Sequence, residues 1–257
     1  MDYKKIYLEK IKPELTDEQK QSPYAHLYDL PMKEPAKKIM EALTGETMDE
    51  NLALDFDSLY KMFEKDEMPK DNGWCIRKDK TGYSSIRTIL PDVTPELLKK
   101  WYGWFKNDDY DYLNYKIWMP GWHKSHANPL IEDVGWGNIE IHSDGFSDHT
   151  ILNLPDEPQK MDSNFLHAIV SSGYCFPEGK QDEEPMWNTI VKVYKRNGNG
   201  IEILGLNYIG LKIENNSFIK IHDADPEKVR LFAIHGAYES QRMNELIPRI
   251  FNEEGEV

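Results

Sequence analysis

The chain has 257 residues, with 45 Asp and Glu against 31 Lys and Arg, a formal net charge of -14 at pH 7. That length supports a sizeable core, and the acidic balance, without a clustered basic face, argues against nucleic acid as a partner. Two cysteines, Cys75 and Cys175, are too few for a disulfide framework and lack metal-ligand spacing, so both are expected to be thiols in a reducing compartment, read here as cytoplasmic.

Residues 1–70 are rich in Lys, Glu and Asp with scattered apolar anchors such as Ile39, Leu43, Leu59 and Met62, and are expected to form a mainly helical N-terminal segment. The opening stretch MDYKKIYLEKIKPELTDEQKQ offers no apolar signal core. No run elsewhere approaches the roughly 20 apolar residues that cross a bilayer, so no membrane partner is expected. Residues 71–257 read as one domain. It opens with a hairpin, WCIRKDKTGYSSIRTILP, whose loop Asp79-Lys80-Thr81-Gly82 suits a glycine at positive φ. Thr94-Pro95-Glu96 then supplies a capping side chain, a proline at the first helical position and an acidic first turn. A helix should follow, carrying Leu97, Leu98, Trp101, Trp104 and Phe105 on one face.

From Tyr115 onward the pattern predicts strands: YKIWMP, WGNIEIHSDG, HTILNLP, WNTIVKVYKRN, GIEILGLNYIGLKI and SFIKIHD, with Asn197-Gly198-Asn199-Gly200 and Asn215-Asn216 as tight turns. A final helix begins at Asp225-Pro226-Glu227 and carries Leu231, Phe232, Ile234, Tyr238, Met243, Leu246, Ile247 and Ile250 as an apolar stripe, with Arg242, Asn244, Glu245 and Arg249 expected to face water. A sheet followed by one long helix must receive that helix's stripe, which makes the expected fold α+β, an antiparallel sheet wrapped on a long C-terminal helix.

His235 and Glu239 are one turn apart on this helix and can converge on one point. An isolated pair of this kind is more often a half-buried histidine beside a surface glutamate. Here His123 closes NYKIWMPGWH, and Glu140 shares a strand face with His142 in GNIEIHSDG. The four make a His/Glu, His/Glu set drawn from a loop, a strand and a helix. Such nitrogen and carboxylate ligands suit Zn2+, with manganese and iron as alternatives.

The runs TGYSSIRTILPDVTPELLKKWYGWF, NYKIWMPGWH, NYIG and HGAYESQRMNELIP, in that order between about Gly73 and Pro248, resemble the 2,4-diacetylphloroglucinol hydrolase family, which includes phloretin hydrolase. The resemblance implies a helix-grip domain holding zinc through His123, Glu140, His235 and Glu239, with Tyr115 hydrogen-bonding a ring hydroxyl. It also implies hydrolysis of the carbon–carbon bond between an acyl group and a phloroglucinol-type ring, so the expected partner is a small aromatic polyphenol and the candidate assembly a homodimer. Such a ring can tautomerise to a keto form, which makes its carbon a tolerable leaving group once protonated. His126, His142, Tyr115 and Tyr194 are the candidate proton donors. A competing reading is a helix-grip binding protein for an aromatic ligand with a structural metal. A zinc peptidase is disfavoured because HGAYE is not H-E-x-x-H.

Overall fold

A computed structural model describes residues 2–9, 12–63, 72–106, 109–110, 112–123, 134–142, 162–175, 186–214 and 217–253, with 134–142 described by backbone alone. Eight strands and five α-helices are named in chain order among them. The strands are β1 (Gly73–Ile76), β2 (Gly82–Leu90), β3 (Val134–His142), β4 (Phe165–Cys175), β5 (Met186–Asn197), β6 (Gly200–Ile209), β7 (Leu211–Glu214) and β8 (Ser217–Lys220). The helices are α1 (Tyr3–Leu8), α2 (Lys37–Thr44), α3 (Pro95–Lys106), α4 (Leu113–Trp118) and α5 (Pro226–Pro248). Six strands form one antiparallel sheet in the order β1-β2-β6-β5-β4-β3, and β7 and β8 form a separate hairpin. The long C-terminal helix lies on the sheet over β1, β2 and β6, as the α+β expectation requires.

Alternation along β5 explains how both faces of the sheet become buried. Tyr194 joins Ile203, Trp101, Leu246 and Ile247 in the core beneath α3 and the C-terminal half of α5. Val191 and Val193 point the other way, into a core with Leu204, Leu206, Tyr83, Leu59, Met62 and Leu211. The segment around Leu59 and the β7–β8 hairpin therefore cover the face away from the helix. A third core joins Ile86, Val229, Ala233, Ile234 and Ala237 to Tyr3, Tyr7, Ile39 and Leu43, so the short N-terminal helices pack directly against α5.

Helix boundaries follow the sequence signals. Thr94 accepts a hydrogen bond from the Leu97 amide at 3.3 Å, and the Asp225 carboxylate accepts one from the Glu227 amide at 2.8 Å. Several expectations are corrected. YKIWMP is not a strand, since Leu113–Trp118 is helical. Leu113, Asn114 and Ile117 are buried while Tyr115 and Lys116 are partly exposed, an i, i+1, i+4 pattern that follows the helical period and breaks the strict alternation of a strand. In the first hairpin the positive-φ residue is Lys80, at 65°, and not Gly82. Gly82 is required for a different reason: a Cβ there would lie 2.2 Å from Val229 Cγ2, so the residue lets α5 approach the sheet. GIEILGLNYIGLKI divides at Gly210 into β6 and β7. β4, for which no expectation was formed, is a central strand between β3 and β5. The stretch HTILNLP lies outside the described residues.

Arg242 and Glu245 do not face water. Arg242 is 2 % exposed, and its guanidinium donates to the carbonyls of Leu27 at 3.0 Å, Pro31 at 3.4 Å and Ile117 at 3.5 Å. It also pairs with Glu245 at 3.2 Å. The apolar stripe placed Arg242 on the wrong side because the N-terminal segment wraps over that flank of α5 and presents backbone acceptors to it.

Candidate metal centre

Three segments bring donor atoms together. α4 is followed by a turn in which Gly121 takes φ 81°, and the amides of Trp122 and His123 donate back to the Met119 carbonyl at 3.0 and 2.9 Å. This turn delivers His123 alongside α4. There the Tyr115 ring stacks on the imidazole with centroids 3.8 Å apart and planes 6° from parallel, while Trp118 meets it edge-on at 5.3 Å. Trp118 also ties α4 to α5, its indole N–H donating to the Glu239 carbonyl at 3.0 Å. From α5, His235 and Glu239 reach the same point. His123 Nε2 is 3.3 Å from His235 Nε2 and 3.3 Å from Glu239 Oε1, and His235 Nε2 is 3.4 Å from that same oxygen.

The donor set is consistent with a metal site. A tetrahedral zinc ion with bonds of about 2.0–2.1 Å has ligand–ligand edges of about 3.3–3.4 Å, which matches all three separations. Protonation states agree. Burial pushes His123 down to about 4, against the opposing influence of Glu239, so the imidazole is neutral at pH 7. A neutral ring has one N–H, and the Tyr115 carbonyl lies 3.2 Å from Nδ1. With the proton there, the Nε2 lone pair points at His235 and Glu239, and a hydrogen bond from Nε2 to Glu239 is excluded. This carbonyl–histidine arrangement is the usual outer support of a metal-binding imidazole. His235 Nδ1 has no hydrogen-bond partner among the described residues. Burial alone would raise the Glu239 carboxyl, but opposing influences, the Lys192 ammonium largest among them, outweigh it and hold the group well below the usual carboxylate range. Among the described residues, His123, His235 and Glu239 form one group able to hold a metal ion.

Lys192, on β5, had no place in the sequence reading. Its ammonium is 2.9 Å from Glu239 Oε2 and 5.1 Å from the centre of the Trp118 ring, with its side chain 20 % exposed. A lysine in an alternating strand carries no signal of its own. Its role follows from register, because Lys192 stands on the helix-facing side between Val191 and Val193. Tyr194, one pleat along, is buried and hydrogen-bonds the Tyr102 hydroxyl of α3. Burial raises its phenol above the ordinary value, although Lys192 and that hydrogen bond oppose the shift. The ladder sets residue 140 opposite Ile169 and Ile169 opposite Lys192, and it sets residue 142 opposite His167, which pairs with Tyr194. The side chains of Glu140 and His142, and all of His126, lie outside the described residues.

Residues 52–130 match a family model described as the DAPG hydrolase PhiG domain. Over this segment, just under a third of its length, the chain is similar to the DAPG hydrolase family. The matched stretch includes Tyr115, Trp118 and His123. His235, Glu239 and Lys192 fall beyond it, so their approach to His123 is an observation separate from the match. No curated protein matches the chain. Among the described residues no helix is long and apolar enough to cross a membrane.

Proposed function

We propose that the protein is a zinc-dependent hydrolase that cleaves the carbon–carbon bond between an acyl group and a phloroglucinol-type ring, in phloretin or the acetylphloroglucinols, releasing a carboxylate and the free phenol. The observation that carries this reading is the convergence of His123, His235 and Glu239 at tetrahedral spacing, in a chain whose residues 52–130 match the DAPG hydrolase domain. His123, His235 and Glu239 would hold the ion, with Glu140 as the candidate fourth ligand. Zinc bound there supplies a Lewis acid and lowers the pKa of water toward about 7.

The remaining chemistry belongs to the chain. Tyr115 and Trp118 enclose His123 with aromatic surface, which excludes water and suits a flat phenolic ring. Tyr115 is assigned to orient a ring hydroxyl. The departing ring carbon needs a proton, and Tyr194, whose phenol stays protonated at neutral pH, is a donor on the same sheet face as Lys192. His126, His142 and Tyr115 are the other candidates. The polyphenol partner and the cytoplasmic location are part of the same proposal.

The deciding experiment is an assay with phloretin and with mono- and diacetylphloroglucinol, run alongside elemental analysis. About one zinc per chain with chelator-sensitive turnover supports the reading, whereas turnover without any transition metal overturns it. Glu140→Gln distinguishes an enzyme from a binding protein with a structural ion. Retained zinc with lost turnover is expected, because a carboxylate on a strand separate from the His235–Glu239 helix can move without disturbing a paired ligand. Full turnover in that variant removes the role given to Glu140.

A further inference from the structure

We propose that Lys192 is a positioning residue that divides the Glu239 carboxylate, reserving Oε2 for itself so that only Oε1 is offered to the metal. The inference rests on the zinc reading and extends it to a residue beyond the matched segment. Glu239 Oε1 is 3.3 and 3.4 Å from the two histidine nitrogens, and Oε2 is 2.9 Å from the Lys192 ammonium. A carboxylate free on both oxygens can chelate an ion through both and fill a coordination position. With one oxygen held by a charge-assisted hydrogen bond, it ligates through the other alone. A third protein donor that stays one-toothed leaves room for water or an acyl oxygen.

The ammonium is itself fixed. β5 carries it on the helix-facing side, where it pairs with Glu239 Oε2 at 2.9 Å. The Trp118 ring lies against it, and the same indole bonds the Glu239 carbonyl, so lysine, glutamate and tryptophan form one connected support. A permanent positive charge beside the ion also opposes metal binding. Lys192 therefore trades affinity for an open, more electrophilic ion. A lysine that merely anchored the carboxylate would do the reverse, and its loss would weaken metal binding.

The test compares wild type, Lys192→Met and Lys192→Arg, each stripped and reloaded with zinc or with cobalt as a spectroscopic probe. Zinc affinity is read by competition with a chromophoric chelator. For Lys192→Met we expect zinc bound at least about tenfold more tightly, since removing a like charge near the ion outweighs the lost hydrogen bond. The cobalt visible absorption should weaken as the freed Oε2 raises the coordination number, and kcat should fall more than KM changes. Lys192→Arg should keep the cobalt spectrum of the wild type. The apoprotein of Lys192→Met should melt lower, with zinc restoring most of the difference, because Glu239 is then buried without a cation. If Lys192→Met does not fold, Lys192→Gln is measured in the same way, with the same expected signs. Unchanged or weaker zinc binding, or an unchanged cobalt spectrum, overturns the inference. Wild type that binds no metal instead overturns the zinc reading itself, so the two failures are distinct.

Discussion

Tyr115 presents its ring face to His123 and its carbonyl to the imidazole Nδ1. Neither contact uses the phenol hydroxyl, so Tyr115→Phe preserves the support of the metal ligand while removing one polar atom. The variant should retain zinc and melt as the wild type does. Its kcat/KM should drop roughly 10- to 1000-fold, the range expected when a buried hydrogen-bond partner of the substrate is lost. Unchanged kinetics would return Tyr115 to packing alone. Cys75 offers a second check at this scale. It is buried on the sheet, and burial pushes its thiol up to about 11, with Arg77 opposing. A raised acid pKa means less thiolate at any lower pH. In a Cys175→Ser background, native Cys75 should react with a thiol reagent at pH 8 at least about 100-fold more slowly than in the unfolded chain. Rapid native alkylation would show that the thiol is accessible and ionised.

Among the elements, α5 links the N-terminal segment to the metal centre. Its inner face carries His235 and Glu239, and its flank carries Arg242, whose guanidinium satisfies carbonyls of Leu27, Pro31 and Ile117. Met in place of Arg242 keeps most of the apolar stem but leaves those acceptors and Glu245 without their donor. The expected cost is about 3 kcal/mol in urea unfolding. Protease cleavage within residues 24–36 should accelerate at the same time. A variant with the wild-type midpoint would mean that the contacts are replaced by water at no cost. α1 contributes from the same side: Tyr7 is sandwiched between Trp122 and Tyr238, with centroids 4.4 Å away on each face, so residues adjacent to both His123 and Glu239 are packed by the start of the chain.

For the whole molecule, the ligands come from residues 123, 235 and 239, which are close only in the folded state. An ion that binds this arrangement and not the unfolded chain stabilises the fold by mass action, by about 2.7 kcal/mol at a free concentration 100 times Kd. The melting temperature should therefore rise with added zinc, and chelation should reverse the rise. His235→Ala should abolish the dependence and lower zinc content. A melting temperature indifferent to zinc in the wild type would contradict the assignment of these three residues. At -14 the chain should also show no salt-dependent retention on nucleic acid, consistent with the absence of a basic face in its sequence.

The sequence by itself determined what depends on neighbours within a turn or a pleat. Asp225-Pro226 and Thr94-Pro95 are local capping signals, and they mark α5 and α3 as read. His235 and Glu239 share a helix face because four residues make about one turn, so their convergence needed no tertiary information. The motif around Tyr115, Trp118 and His123 was legible as a pattern, but its conformation was misread, since six residues of mixed apolar character fit either period. Tertiary structure decided the rest, because it depends on residues distant in sequence. Arg242 looks solvent-facing on the helix and is buried only because residues 27 and 31 come to cover it. Gly82 looks like a turn residue and is needed instead where Val229 approaches. Lys192 is indistinguishable from any strand lysine until β5 takes its register beneath α5 and sets an ammonium against the second oxygen of Glu239.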